Sequence, residues 1–318
     1  MQHKWTVDRR QRIDVFLSLQ AKIGSRAKAQ KLLKAGYIAL NGVPLKKASY
    51  VLSEGDNVAI IGALEEAHGA MHPADLPLSV LYEDDACMVV AKPAGVSMHP
   101  GAGMRKGTVT VLHGVAKLFE DRNIPFHPSS VLVHRLDKET TGCLLVAKSP
   151  DAHRKLQKQF QERAVQKQYL ALVAGVPRLP RAMIDAPIGR STSERTKMSV
   201  FSAGKLRSAR TTYAILHVGK DSVCSLLLCY LLTGRTHQVR VHLASIGHPI
   251  LGDTAYGTER SKAIEIAGVD TLCLHAWKLQ FTAPSGQTVA VIAPLSSKFS
   301  DVLARLNFPK VKDAFPNA

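Results

Sequence analysis

The segment 130–142 carries polar side chains of the types that do chemistry, placed where an apolar run ends. Val131–Val133 predicts a strand, and His134-Arg135-Leu136-Asp137 follows it directly. A strand that ends in polar residues delivers their side chains to a sheet edge or a cleft. If the extended backbone continues, alternation puts Arg135 and Asp137 on one face. Asp137 could then act as a nucleophile or a base, or it could simply cap the loop backbone.

The sequence lacks the motifs of common cofactor sites. It has no G-x-x-x-x-G-K-[ST] phosphate loop, and Gly101-Ala102-Gly103 has no third glycine at the dinucleotide-binding spacing. No H-E-x-x-H or C-x-x-C pattern occurs, and the odd number of cysteines, five, favours reduced and mostly buried thiols over disulfides. We therefore expect no metal, no nucleotide and no other small-molecule cofactor.

The net charge indicates a polyanionic partner. Among 318 residues, 42 Lys and Arg against 25 Asp and Glu give a formal charge of +17. Such a surface attracts and captures nucleic acid or an anionic membrane. The membrane alternative is weaker, because the longest apolar run, Val223–Leu232, is about half as long as a spanning helix. The basic N-terminus has no apolar stretch behind it, so we expect no signal peptide and a cytoplasmic protein.

Residues 11–61 predict a small basic module of two helices and a hairpin. Ser25 is the expected N-cap and Gly36 the expected end of the second helix, and Asn41-Gly42 predicts the hairpin turn. Between Arg9 and Lys47 there are ten Lys or Arg residues and one acid. A solvated helix face is the alternative, but this density favours binding to backbone phosphates. The expected contact residues are Arg26, Lys28, Lys31 and Lys34.

The rest of the chain predicts a linker at 62–78, a mixed α/β domain at 79–300 and a C-terminal tail at 301–318. The linker carries Pro73 and Pro77 and no Lys or Arg. The domain is rich in short apolar runs, and Ser149-Pro150 predicts the N-cap and first turn of a helix. The expected strands are Cys87–Ala91, Val131–Val133, Cys143–Ala147 and Tyr169–Ala174.

Four segments of this domain occur in the order of a known family. They are Lys92-Pro93-Ala94-Gly95 with His99-Pro100-Gly101, His134–Gly142, Lys167-x-Tyr169-x-Ala171-x-Val173-x-Gly175, and Leu232–His242 running into Gly247-His248-Pro249-Ile250-x-Gly252-Asp253. Together they resemble the RluA family of RNA pseudouridine synthases, most of all its RluD-like branch. The module at 11–61 resembles an S4 RNA-binding domain. Glu139 and Thr141 stand where the family more often has Asp and Ser.

The resemblance implies an α+β fold. A small S4 (α-L-like) domain would accompany a catalytic domain on a mixed, largely antiparallel sheet with flanking helices and a central active-site cleft. It also implies site-specific isomerisation of uridine to pseudouridine in structured RNA, above all large-subunit (23S) ribosomal RNA, without a cofactor. We expect RNA as the partner and a monomer.

The resemblance assigns roles in the site as well. Asp137 would be the catalytic group, Tyr169 would stack on the flipped-out base, and Arg235 would pair with Asp137 to hold it ionised. Arg135 would fill the gap left by the base or bind the RNA backbone, while His134 either contacts substrate or is a hydrogen-bonded core histidine. Judged by sequence position alone, Tyr169 could be a core side chain and Arg235 a phosphate contact.

Two other functions compete with this one. An inactive, ribosome-associated RNA binder should have lost the carboxylate or its partner, yet Asp137, Tyr169 and Arg235 are all present. An S4-bearing RNA methyltransferase would need a glycine-rich loop after a strand, and the sequence has none. Whether Asp137 attacks covalently or promotes a glycal stays open, as does the identity of the uridine.

Overall fold

The computed structural model describes residues 3–20, 23, 26–61, 72–101, 104–105, 107–257 and 269–309. The chain divides into two compact units, Met1–His72 and Pro73–Ala318. No helix in these described ranges is long and apolar enough to span a membrane.

The first unit packs two helices onto short antiparallel strands. Its elements are β1 (Lys4–Thr6), β2 (Gln11–Arg12), α1 (Ile13–Leu19), α2 (Arg26–Ala35), β3 (Ile38–Leu40), β4 (Val43–Pro44), β5 (Val51–Leu52) and β6 (Asn57–Ile60). One sheet has the order β1-β6-β3-β4, and β2 pairs with β5. Ile13 and Leu17 on α1 and Leu32 and Leu33 on α2 are fully buried in one cluster. Their helical spacing gives each helix one apolar face.

Two turns of the first unit confirm the sequence interpretation. Gly36 follows α2 with a φ of +78°, which glycine adopts without strain. Asn41 and Gly42 both have positive φ between β3 and β4, as a two-residue hairpin requires. Ser25, the predicted N-cap, lies outside the described residues.

The second unit is built on a nine-stranded sheet. Its elements are β7 (Ser79–Glu83), β8 (Cys87–Lys92), α3 (Val111–Glu120), β9 (Thr141–Ala147), α4 (Pro150–Gln161), β10 (Gln166–Ala174), β11 (Arg181–Asp185), β12 (Gly189–Arg190), β13 (Met198–Ser199), β14 (Arg210–Val218), β15 (Cys224–Leu231), α5 (Gln238–Ser245), β16 (Leu274–Thr282), β17 (Thr288–Ile292) and α6 (Ser297–Arg305). The sheet order is β11-β14-β15-β10-β16-β9-β8-β7, with β17 paired to β16. Only the β9–β16 pair is parallel among the described strands of this sheet. The prediction of a mixed, largely antiparallel sheet is confirmed.

The central strands of this sheet are buried on both faces, which explains why their sequences are continuously apolar. Every residue of β9 is buried, as is β10 from Tyr169 onward. α4 packs Leu156 into the same cluster as Leu145 of β9. Ser149 caps α4 by accepting a hydrogen bond from Ala152 N (3.2 Å), as predicted. All five cysteines are free and buried.

The predicted strand Val131–Val133 is not formed. Leu132 makes one isolated bridge to Val146 near the end of β9. β9 pairs with β8 along its whole length, and its other edge is taken by β16 at Thr141 and Gly142. Since a strand has two edges, only the far end of β9 is left for this segment, which runs on as a loop.

The predicted domain boundaries also differ from the structure. Residues 73–78, expected in the linker, belong to the second unit, where Leu78 is buried. α6 extends this unit past residue 300, where we expected a tail. Phe299, Val302 and Leu303 are buried at helical spacing, which is why the chain is helical there. Residues 62–71 and 310–318 lie outside the described residues.

Candidate active site

Asp137 lies in the loop that precedes β9. Thr140 N donates to Asp137 O (3.1 Å), which closes a turn at this point. Gly142 then passes so close to Ala276 O that a β-carbon at residue 142 would collide with it. Arg135 and Asp137 therefore share no strand face, although both line one cavity.

A buried lysine holds this loop through its backbone. Lys92, the last residue of β8, is 1% exposed. Its Nζ donates to Pro93 O (2.8 Å), Lys138 O (2.8 Å) and Thr140 O (3.0 Å). These acceptors satisfy all three N–H groups of the ammonium, while burial lowers the pKa of Lys92 to about 8. The loop around Asp137 is thus fixed by contacts to its carbonyl oxygens.

Arg240 is the guanidinium beside Asp137. It lies in the first turn of α5, and its Nη1 is 3.5 Å from Asp137 Oδ2. Its Nε and Nη2 each donate to Asp253 at 2.8 Å, a bidentate pair that fixes the plane of the guanidinium. His237 Nε2 lies 4.0 Å from Asp137 Oδ1. The Asp137 side chain is 14% exposed, so it is paired with a cation yet still open to the cavity.

The ion pair that we predicted between Arg235 and Asp137 is not formed. Arg235 Nε donates instead to Ser208 O (3.1 Å). Because α5 starts at Gln238, Arg235 stays in the preceding loop while Arg240 enters the buried helix. The partner of Asp137 is therefore Arg240, which the sequence interpretation missed.

The sequence did contain a signal for Arg240. It stands between Val239 and Val241, both of which are buried in α5. A buried arginine needs an acidic partner, so its place in an apolar run indicated a carboxylate contact.

The loop before α5 is held by one glutamine. Gln238 Oε1 accepts hydrogen bonds from Thr233 Oγ1 (2.7 Å) and Arg235 N (3.0 Å). Its Nε2 donates to Arg210 O (2.9 Å) and Thr211 Oγ1 (3.0 Å) on β14. The backbone that presents Arg235 at the cavity is therefore tied to the sheet.

Tyr169 reaches the same cavity from β10. Its side chain is 8% exposed, and burial raises the pKa of its phenol. The cavity is narrow, about 60 Å³, and Arg135, Asp137, Tyr169 and Arg235 line it. The structure thus brings together four predicted residues that come from three separate motifs.

His134 has a structural environment. Its Nε2 accepts a hydrogen bond from Leu145 N of β9 (2.9 Å), and its ring stacks on Phe160 of α4 at 4.8 Å. Burial lowers the pKa of His134 to about 3. The neutral imidazole ties the loop of Asp137 to the sheet.

Acid should destabilise the protein partly through His134. The unfolded imidazole takes up a proton near pH 6.5, whereas the folded one does so only near its pKa of about 3. The free energy of unfolding therefore falls as the pH falls below about 6.5. In His134→Gln, the Gln Oε1 can still accept the hydrogen bond from Leu145 N. We expect a smaller loss of unfolding free energy in this variant between about pH 7.5 and pH 5 in urea titrations. A loss equal to that of the wild type would contradict the assignment.

The predicted phosphate contacts on α2 have different environments. Arg26 Nε donates to the buried Asp14 (2.8 Å), while the Arg26 side chain itself is 53% exposed. Lys31 and Lys34 are exposed, and Lys28 is half-buried. Lys31 and Lys34, whose side chains are exposed, remain predicted phosphate contacts.

Comparisons with known proteins cover both units. The family described as RNA pseudouridylate synthase matches residues 86–245, and the S4 domain matches residues 11–58. Ribosomal large subunit pseudouridine synthase D of Nitrosomonas europaea is 40% identical over 263 residues, covering 80% of this chain and 73% of the relative. The protein of that name from Vibrio cholerae is 38% identical over 295 residues, covering 90% and 88%. The solved structure of human RNA pseudouridylate synthase domain containing 1 matches with a TM-score of 0.56 at 27% identity, covering 75% of this chain and 100% of that one.

Both units thus match one class of protein, the RNA-modifying isomerases that carry an S4 domain. The chain belongs to the RNA pseudouridylate synthase family and isomerises uridine to pseudouridine in RNA.

Proposed function

We propose that this enzyme modifies large-subunit ribosomal RNA and that Asp137 is its catalytic group. The substrate proposal is supported by relatives named ribosomal large subunit pseudouridine synthase D, which are 36–40% identical to this chain. The catalytic proposal rests on one observation: Asp137 is a carboxylate paired with Arg240 that still lines a cavity shared with Tyr169.

The chemistry needs one carboxylate at the sugar–base junction. The glycosidic bond between C1′ and N1 breaks, the uracil turns, C5 bonds to C1′, the C5 proton is released and N1 takes up a proton. Asp137 can attack C1′, or it can take the C2′ proton to form a glycal. Either route requires a carboxylate oxygen held at the sugar, and the Arg240 guanidinium, with Nη1 3.5 Å from Asp137 Oδ2, orients the side chain. Arg240 is in turn oriented by Asp253.

The other residues of the cavity bind and hold the substrate. Taking a uridine out of its stack costs a few kcal/mol of free energy, and stacking the base on an aromatic side chain recovers about 1–3 kcal/mol. Tyr169 is the aromatic ring that lines the cavity of Asp137. Arg135 is exposed at the same cavity and suits the gap left by the base or the RNA backbone. Arg235 does not pair with Asp137 and lines the same cavity, so it can bind a phosphate of the RNA.

Release of tritium from C5 tests this function directly. A large-subunit rRNA transcript labelled at uridine C5 should release tritium on addition of the protein alone, because C5 becomes bonded to C1′. Carbodiimide mapping then locates the uridine. A protein that releases tritium from tRNA and never from rRNA would contradict the proposed substrate. We place the reaction in the cytoplasm and assign it to a monomer.

Deleting residues 1–61 should weaken RNA binding more than it slows the chemical step. Each lost phosphate contact reduces the slope of log Kd against log salt by about 0.7–0.9. We expect the truncated protein to show a higher Kd for the rRNA transcript and a shallower salt dependence, measured by filter binding. Equal affinity and slope for the two proteins would show that the S4 unit does not bind the substrate.

A further inference from the structure

We propose that a second cavity next to the catalytic one binds a phosphodiester that flanks the target uridine, with Lys167 as its central ligand. This inference rests on the proposed function, because it assumes that the base lies beside Asp137. It adds a binding site that the catalytic mechanism does not use.

The second cavity adjoins the catalytic one. It has a volume of about 390 Å³ and shares Arg135, Tyr169 and Arg235 with the first cavity. This volume is in the range of roughly 300–1,000 Å³ that is typical of ligand sites. An RNA chain whose base enters the first cavity would have its neighbouring backbone at the second.

The lining of the second cavity has cations and no carboxylate. Arg135, Arg163, Lys167 and Arg235 line it, and none of the described lining residues is Asp or Glu. Phe160 forms an apolar part of the wall, and Lys167 Nζ lies 5.6 Å from the centroid of its ring. Four cations around a cavity of this size create a site for an anion.

Among the cations of this cavity, Lys167 is the one that a bound anion would stabilise most. It is 9% exposed, and burial together with the neighbouring Arg163 lowers its pKa. Two other lysines that are mostly shielded from water are satisfied: Lys92 by three carbonyls, and Lys148 by Glu83 at 2.7 Å. No ion pair joins Lys167 to any residue that the structure describes. A buried cation beside a like charge is unfavourable by itself, and a bound phosphate removes both penalties.

The backbone presents Arg163 at the cavity in an unusual conformation. Arg163 follows the end of α4 with a φ of +61°, in the left-handed region that non-glycine residues rarely adopt. This turn leads from α4 into β10, which carries Lys167. The turn after α4 and the first residues of β10 therefore bring Arg163 and Lys167 to the same cavity.

The test combines a variant with a neutral linkage in the RNA. After the target uridine is mapped, a hairpin containing it is made with an uncharged methylphosphonate on its 5′ or 3′ side. For the wild type, one of these linkages should lower kcat/KM about tenfold, the usual effect of losing a charge-assisted hydrogen bond. Lys167→Met should lower kcat/KM on normal RNA by a similar factor and then lose nothing further with that linkage. Arg163→Gln should show the same pattern with a smaller loss.

Stability separates binding from a structural role. Lys167→Met removes an unpaired buried charge, so its melting temperature should equal or exceed that of the wild type. Lys278→Met, on the neighbouring strand and outside the cavity, is the matched control and should leave kcat/KM unchanged. A lower melting temperature for Lys167→Met would overturn this inference and leave the proposed function standing. So would a methylphosphonate that lowers the kcat/KM of Lys167→Met by the same factor as that of the wild type. Absence of tritium release from any RNA by the wild type would overturn the proposed function together with it.

Discussion

Asp137→Asn should abolish the formation of pseudouridine while RNA binding stays within about twofold of the wild type. The substitution keeps the shape of the side chain and removes the carboxylate oxygen that attacks C1′ or accepts the C2′ proton. Removing the central group of a catalytic unit commonly lowers kcat by about 10⁴-fold or more. Tritium release under single-turnover conditions measures the step, and filter binding measures the affinity.

A control carboxylate makes this result specific. Asp270 is exposed and pairs with Lys298 on the surface, so Asp270→Asn should retain wild-type activity. Turnover by Asp137→Asn at a rate near that of the wild type would show that another group carries the reaction.

Arg240→Gln should reduce both activity and stability strongly. The substitution leaves Asp253, whose side chain is 0% exposed, without its guanidinium, and breaking a buried ion pair in this way costs about 3–5 kcal/mol of unfolding free energy. Asp137 loses its closest cation at the same time, so kcat should fall even at temperatures where the variant is folded. Urea unfolding and single-turnover tritium release measure the two effects.

The double variant Arg240→Gln/Asp253→Asn separates the two roles of the arginine. Replacing both members removes the uncompensated buried charge, so part of the unfolding free energy should return. Activity should stay low, because Asp137 remains without its partner. Arg235→Gln should lose less activity than Arg240→Gln and mainly through KM. If Arg235→Gln lost more in kcat than Arg240→Gln, the ion pair would not be the catalytic one.

The fold class and the gathering of the site could be predicted from the sequence, because the four motifs recur in a known order. Asp137 and Tyr169 are separated by 32 positions in the chain, and β10 and the loop before β9 bring them to one cavity. The Ser149-Pro150 cap likewise located α4, and Gly36 located the end of α2. Local patterns of this kind depend on neighbouring residues alone.

The parts that could not be predicted depend on long-range pairing. Val131–Val133 has the composition of a strand, but the parallel pairing of β9 with β16 at Thr141 and Gly142 leaves it only the far end of β9, where Leu132 makes one bridge. The choice between Arg235 and Arg240 depended on where α5 begins, and helix starts are poorly defined without a capping residue; the N-cap of α5 is His237 with a positive φ. Two arginines five positions apart can exchange roles when that boundary moves.

The contacts of Lys92 have a consequence for how this loop can evolve. The hydrogen bonds that Lys92 donates go to backbone carbonyl oxygens, which every amino acid possesses, at Pro93, Lys138 and Thr140. A change of side chain at position 138 therefore leaves the hydrogen bond from Lys92 to the backbone near Asp137 intact. Such a substitution can be tolerated without moving the carboxylate of Asp137.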